Sequence, residues 1–443
     1  MSITSGFSEV LPANGVAAGD DAVGAFAIDG LKPQCVLFPE TVDHFGRCLA
    51  VADQLGVSVT PVGNGTQLGC GNLPQRYDVA LSTRRLARIL AHEAADMTVT
   101  VEAGATVAEV NAALEPAHQH LPLDPPQPEH TTIGAAIATD ASGPLRLSQG
   151  KVRDQLIGVK VVLADGTLIK GGGRVVKNVA GYDLMKLFTG SFGTLGTVVE
   201  ATFKVRPLPE CEALFAVSAR EVGSAASLAL EVLGASLAPS YVEALNRAAA
   251  TALELGDEPL LIVGCGGSEE EIDVQGQRLQ HLAGKQRVQT YADAEGAQVY
   301  HRLCDFPGDG FLPRLLEENQ SEGFLGCKLS LLPSKLAAVL SDIELEAGAK
   351  KMNCAILSHV GSGIAYVRCG AADDDAVVQF AQRLRATARQ ANGWAVFDLL
   401  PGRLKTRLDT WDAEVPGISL MRGVKNMLDP KGRLSPGRFV GGI

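Results

Sequence analysis

Between residues 211 and 400 one pattern occurs twice, and it limits the fold more than any single motif in the chain. The first pass reads strand "ALFAVSA" (213–219), a helix near 221–235, strands "YVEALN" and "PLLIVGCG" (241–246, 259–266), helix 268–283 and strand "RVQTY" (287–291). The second reads strand "FLGCKLSLL" (324–332), helix 333–347, strands "NCAILSHV" and "IAYVRCG" (353–360, 364–370), helix 373–391 and strand "WAVFDLL" (394–400). The repetition is one of pattern, not of sequence. Each pass is the split β-α-β-β-α-β arrangement, and two of them predict one antiparallel sheet covered by helices.

The first half reads differently. Val42, Phe45, Leu49, Ala52 and Leu55 recur at helical spacing, with Thr41 suited to cap the start and Gly56 the end. "VSVTPV" (57–62) and "YDVALS" are short strands, and "MTVTVEA" (97–103) alternates as a half-buried strand does. Thr106 and Glu109 form a capping box before a helix carrying Val107, Val110 and Leu114. "LIGVKVVLADGTLIK" is a hairpin turning on Asp165-Gly166. "TVVEATFKV" (197–205) puts Val199, Ala201, Phe203 and Val205 on one face and Glu200, Thr202 and Lys204 on the other. "RPLPE" then sets a boundary near 208. A doubly wound parallel sheet alternates strand and helix from its first strand, so this mixed half argues against a Rossmann domain.

Three loops in that half invite a ligand. In "PVGNGTQLGCG" (61–71), Gly63 and Gly65 remove Cβ atoms, so successive N–H groups can converge on an anion. Asn64, Thr66 and Gln67 add side-chain donors, and no helix follows as it would in a dinucleotide fingerprint. "DPPQPEHTTIGAAIATDASGP" (124–144) is proline-rich and then rich in small residues, which lets a ligand lie against main chain. "TGSFGTLG" (189–196) again offers hydroxyls on glycine-rich backbone leading into a strand. A single such segment reads equally well as a turn; three in one half-chain do not.

Composition narrows the class. A net charge of −11 argues against a nucleic-acid binder. No apolar run approaches the ~20 residues of a membrane helix, and "MSITSGFSEV" lacks the features of a secretory signal. The nine cysteines are scattered with no C-x-x-C, so neither a disulfide framework, a zinc site nor an iron–sulfur cluster is expected of this chain.

In order along the chain, "PVGNGTQ", "TTIGAAIATDASGP", the stretch from "VRDQLIGVKVVLADG" through "KNVAGYDLMKLFTGSFGTLGTVVEATFKV", and the terminal "DPKGRLSPGRF" resemble the FAD-binding flavoproteins of the vanillyl-alcohol oxidase and p-cresol methylhydroxylase type. Within that family the E-type FAD-binding subunit of bacterial glycolate oxidase is the nearest likeness. The resemblance covers 31–207 and the C-terminus, and is weak between. It implies an α+β fold: an N-terminal extension (1–30), a p-cresol methylhydroxylase-type FAD-binding domain of two α+β subdomains (31–208), a cap or substrate domain (209–414), and a C-terminal segment returning to the FAD domain (415–443).

It also implies cofactor contacts. Val62, Gly63, Asn64, Gly65, Thr66 and Gln67 would wrap the FAD pyrophosphate. Thr132, Ile133, Gly134, Thr139, Ser142 and Gly143 would follow the flavin and ribityl chain, and Gly193, Gly196, Thr197 and Val198 would close over it. Tyr182 and Asp183 read as supports of the last loop. Covalent members often carry a histidine in the first loop, where this chain has Asn64, so noncovalent FAD is expected. Full 2-hydroxy-acid dehydrogenases of the group often carry H-x-x-G-D-G-N-x-H. The matching "HVGSGIAYV" (359–367) lacks the aspartate, the asparagine and the second histidine, so no metal site is expected.

Oxidising a 2-hydroxy acid needs a cation for the carboxylate, a base for the hydroxyl proton and an acceptor for hydride. His359 is the candidate base; Arg146, Arg153 and Arg403 are candidate cations, and His118, His120 and His130 read as loop residues. The resemblance implies a cytoplasmic oxidoreductase subunit acting on glycolate or a similar acid. Its partners would be a related flavoprotein subunit and an iron–sulfur subunit, with peripheral attachment to the inner membrane through them. Two alternatives stand beside it: an FAD-binding structural or electron-relay subunit, and a stand-alone D-lactate-type dehydrogenase.

Overall fold

The computed structural model describes residues 3–174, 182–308, 310, 323–412 and 415–443. They group into two compact units, one from residues up to 142, 151–208 and the C-terminal segment, the other from 143–150 and 209–412. The boundary at 414 lies outside the described residues, and Gly143–Gly150 groups with the second unit rather than with its sequence neighbours.

The first unit holds two larger sheets and a two-stranded ribbon of Gln119–His120 with Arg206–Pro207. In one, Cys35–Leu37, Val79–Ser82 and Val59–Val62 run parallel, and Val16–Ala17 adds an antiparallel edge. The helix Val42–Leu55 makes the crossover, capped by Thr41, whose hydroxyl accepts from His44 N, and ended by Gly56 at φ 74°. Its Phe45, Leu49 and Ala52 are buried. Residues 3–30 are integral to this packing, since Phe7 and Phe26 are buried in it.

The other sheet is antiparallel, in the order Ile89–Glu93, Thr98–Glu102, Thr197–Lys204, Leu156–Val162, Leu168–Gly172. The Asp165-Gly166 hairpin forms there, Gly166 at φ 88°. Thr98–Glu102, expected to be half-buried, is buried on both faces. Its polar face is covered because Thr100 and Thr202 share a hydroxyl–hydroxyl bond of 3.0 Å and Arg88 holds Glu102 at 2.7 Å. The box of Thr106 and Glu109 caps Val107–Leu114.

The second unit contains the eight-stranded antiparallel sheet. Its order is Val288–Ala292, Cys211–Ser218, Leu260–Gly267, Tyr241–Leu245, Asn353–His359, Ile364–Ala371, Gly323–Ser330, Trp394–Leu399. Each pass of the pattern supplies four adjacent strands, and the second strands of the two passes meet in the middle. Helices Val222–Gly234, Glu269–Ala283, Pro333–Ala349 and Asp374–Gln390 bury their apolar stripes in one continuous core. Two further helices, Arg247–Ala252 and Asp293–Asp305, interrupt the predicted pattern and pack in a second apolar cluster with Leu214, Ile262 and Leu357. No helix among the described residues is long and apolar enough to cross a membrane.

Candidate functional site

In the first unit a cleft of about 820 Å³, open solvent at its mouth included, lies where the three small-residue segments meet. The strand Val59–Val62 delivers the chain to its edge, and the 61–71 loop forms one wall. Among the expected residues, Val62, Gly63, Gly65, Thr66, Gln67, Gly134, Thr139, Gly193, Gly196, Thr197 and Val198 line it.

Five residues do not. Asn64 turns to a neighbouring depression with Arg84, Gln127 and His130, donating from Nδ2 to His130 O at 2.9 Å. Thr132 caps the helix Ile133–Thr139 by accepting from Ala135 N, and Ile133 is buried in the core. Ser142 and Gly143 follow that helix outside the cleft.

The glycines divide by physical cause. Gly65 takes φ 87°, which a side chain resists. Gly63 has room for no Cβ because Thr132 stands against it, and a Cβ at Gly196 would meet Val161. Gly134 lies against Ala103. Close packing of strand, loop and helix, as much as access for a ligand, selects glycine here.

The polar groups of the cleft point to an anionic, hydroxyl-rich ligand. None of the N–H groups of Gly63 to Gln67 donates to a partner among the described residues, leaving a nest of donors. Thr60, Thr83, Thr197 and Ser435 all line the cleft, and each has a buried hydroxyl with no partner. Buried hydroxyls are ordinarily paired. The donor set therefore fits a pyrophosphate flanked by sugar hydroxyls.

The C-terminal segment holds this wall. Arg438 is the only charged side chain among the described residues lining the cleft. Its guanidinium donates to the carbonyls of Leu68 and Asn72 at 2.7 and 2.9 Å, and to that of Cys70. Burial pulls its pKa down, but an arginine remains charged. Lys425, on the helix Ile418–Leu428, donates to Thr194 O at 2.7 Å, Leu434 O at 2.9 Å and Asp429 at 2.6 Å. Burial lowers the Lys425 pKa, and Asp429 opposes that shift. The sequence reading missed Thr60, Thr83, Ser435 and Arg438. For Ser435 and Arg438 the signal was the terminal "SPGRF", which the resemblance included but did not convert into roles; Thr60 and Thr83 carried none.

In the second unit, one sheet face carries a row of ionisable groups. His359 Nδ1 lies 2.5 Å from Glu243 Oε2, both side chains almost wholly buried. His359 Nε2 is buried without a partner. The Tyr366 ring stands edge-on to His359 at 5.4 Å, and Lys328 Nζ lies 5.7 Å from the Tyr366 centroid. Half-buried Lys328 forms no ion pair among the described residues. Arg368, fully buried, is committed to Asp398 and the Pro307 carbonyl.

The cations named from sequence are placed otherwise. Arg403 grips Asp374 at 2.7 and 2.8 Å, Arg153 lies 3.9 Å from Asp154, and Arg146 opens the short helix Arg146–Gln149. Asp183 caps Leu184–Phe188, whereas Tyr182 projects into solvent. His118 occupies a left-handed turn, and His120 pairs in register with Arg206. Among the described residues no three His, Cys, Asp or Glu side chains group as a metal site would require.

Comparison with known proteins agrees with this geometry. The FAD binding domain family matches residues 33–172, and the family of FAD linked oxidases, C-terminal domain, matches 208–439. Glycolate oxidase subunit GlcD of Bacillus subtilis (strain 168) is 25% identical over 92% of this chain and 89% of its own. The mitochondrial D-lactate dehydrogenase [cytochrome] of Arabidopsis thaliana is 26% identical over 92% of this chain and 73% of its own. Among solved structures, p-cresol methylhydroxylase with substrate bound superposes with a TM-score of 0.78 at 15% identity, covering 98% of this chain and 96% of that one. FAD is the cofactor to which the nest and the unpaired hydroxyls correspond, and the chain belongs to the FAD-linked oxidases of the vanillyl-alcohol oxidase and p-cresol methylhydroxylase type.

Proposed function

We propose that this chain oxidises a small 2-hydroxy acid such as glycolate to the 2-oxo acid, as a glycolate-oxidase-like subunit nearest the E type, passing electrons to an iron–sulfur partner. The carrying observation is the Glu243–His359–Tyr366–Lys328 row. Glu243 accepts from Nδ1, which leaves Nε2 of a neutral imidazole with its lone pair available. Nε2 then takes the hydroxyl proton of the substrate, and Lys328 meets the carboxylate. Bound FAD supplies the acceptor for the hydride leaving C2. Glu243 is a positioning residue in this scheme.

FAD is held without a covalent bond. No His, Cys or Tyr side chain is found among the described residues lining the cleft, which supports this. The contacts expected from sequence, less Asn64, Thr132, Ile133, Ser142 and Gly143, form the cofactor surface. The protein works in the cytoplasm, attached to the inner membrane only through partners.

A second reading, an electron-relay subunit without its own turnover, is favoured by the near-complete burial of His359 and by the missing residues in 359–367. An anaerobic titration separates the two. If glycolate or D-lactate bleaches the ~450 nm flavin band, the chain turns over substrate; a yellow protein that no 2-hydroxy acid bleaches is a relay.

A further inference from the structure

The buried hydroxyls of this protein are unevenly satisfied. Thr194 donates to Ser191 O at 2.6 Å, Ser191 to Phe188 O at 2.8 Å, and Ser358 to Ile364 O at 2.8 Å. Among the described residues, every buried hydroxyl left without a partner, on Thr60, Thr83, Thr197 and Ser435, lines the cleft. All four side chains are more than nine-tenths buried. They come from four separate segments: the strand Val59–Val62, the residue just beyond its parallel neighbour Val79–Ser82, the start of Thr197–Lys204, and the C-terminal tail.

A lone buried hydroxyl costs stability, because the water it gave up has no replacement. All four side chains belong to residues that line the same cleft, where a hydroxyl-rich ligand can supply the missing partners. Ser435 is the most informative. Its backbone sits at φ 43°, unusual for a non-glycine residue, fixed there by donation from its N to Val59 O at 2.9 Å. The same tail places Arg438 three residues on, its charge fixed by three loop carbonyls.

We propose that the C-terminal tail is a direct part of the cofactor site. Ser435, with Thr60 and Thr83, hydrogen-bonds the hydroxyl-bearing part of FAD, and Arg438 is the countercharge for its pyrophosphate. This extends the family's FAD assignment to residues that the three glycine-rich segments do not include.

The test is FAD and ADP affinity of the apoprotein, by quenching of flavin fluorescence and by calorimetry, beside the melting temperature of the apoprotein. Ser435→Ala removes an unsatisfied group, so the FAD-free protein should melt at the same temperature or higher while FAD binds about 3- to 10-fold more weakly. Thr60→Val and Thr83→Val should behave alike. Arg438→Met should weaken FAD and ADP by about 10- to 100-fold and flatten the salt dependence of both. A purely structural tail predicts the opposite coupling, with the apoprotein of Ser435→Ala destabilised and affinity falling only in parallel. That outcome, or unchanged affinity in Ser435→Ala and both threonine variants, overturns the proposal. Failure of the unaltered chain to take up FAD is a different result, and it would sink the cofactor assignment itself.

Discussion

Replacing Gly63 by alanine tests how the opening loop is held. A Cβ at that position would lie 2.2 Å from Thr132 Oγ1 and 3.1 Å from its Cγ2. Thr132 cannot swing aside cheaply, because it is fully buried and its hydroxyl caps the helix Ile133–Thr139. Relief means losing a cap worth about 1 kcal/mol and straining a packed interior by about 1–3 kcal/mol. The expected cost of Gly63→Ala is therefore about 2–4 kcal/mol. Thr132→Ala removes the two nearest of the three crowding atoms, leaving only Thr132 Cβ at 3.2 Å, and costs the cap and one buried methyl. The double variant should then be less destabilised than the sum of the singles by about 1–3 kcal/mol. The assay is urea unfolding of the FAD-free protein followed by circular dichroism. Tryptophan emission is read in parallel, since Trp394 and Trp411 both belong to the second unit. A loss confined to the first unit leaves the tryptophan transition in place. Additive costs, with a coupling under about 0.5 kcal/mol, would refute the steric account of this glycine.

Three other predictions are independent of that loop. Acid precipitation of the yellow protein should leave the flavin in the supernatant; flavin retained in the pellet would overturn noncovalent binding. Asp78 is pushed up by burial, but the Ser58 N–H and hydroxyl and the Arg76 guanidinium outweigh this and hold its carboxyl below the usual range. An acid with a depressed folded pKa stabilises above its unfolded value and loses that contribution as the pH falls through the folded one. Asp78→Asn should thus be less stable than the parent at neutral pH, and the gap should close in acid, below about pH 4; a constant gap across a pH series of melts would contradict this. If His359 is the base, Glu243→Gln should cut kcat by about 10²–10⁴-fold with little change in KM, and Lys328→Met should act chiefly through KM. Equal effects of both variants on KM would count against those roles.

The second unit was legible because its signal is periodic: eight strands and four helices whose order admits few sheets. The helices missed there carry weaker marks. Arg247–Ala252 is a short alanine run behind the cap Asn246, and Asp293–Asp305 buries only Val299, Leu303 and Cys304. In the first unit the glycine segments announced a ligand loop, yet glycine alone does not say whether it yields to a ligand or to a neighbouring side chain. Gly63 and Gly65 sit two apart and answer differently. The unpaired hydroxyls were invisible because a serine or threonine shows its lack of a partner only in three dimensions. Lys328 was hidden for a related reason: it occupies the outward phase of "FLGCKLSLL", where a lysine reads as solvated until its cross-strand neighbour Tyr366 is known.

The repeated pattern also places the acid–imidazole pair of the second unit relative to a local twofold axis. From Cys211 to Gly323 and from Tyr241 to Asn353, the starts of the first and second strands, the spacing is 112 residues in both cases. Leu245 and Leu357 stand at that spacing and face each other in the central antiparallel pair. Equivalent residues thus meet at the middle of the sheet, as they must about a local twofold axis. Glu243 opposite His359 lies two residues to one side of that point. The symmetric position would pair Arg247 with Ala355, but the ladder does not extend there. Asn246 ends it by donating from Nδ2 to Cys354 O at 2.8 Å and accepting from Ile356 N at 2.9 Å, and it caps the helix that carries Arg247 out of the sheet. The symmetric position thus holds neither an acid nor an imidazole, and Asn246 turns the chain out of the sheet there, so the Glu243–His359 pair has no counterpart across the axis.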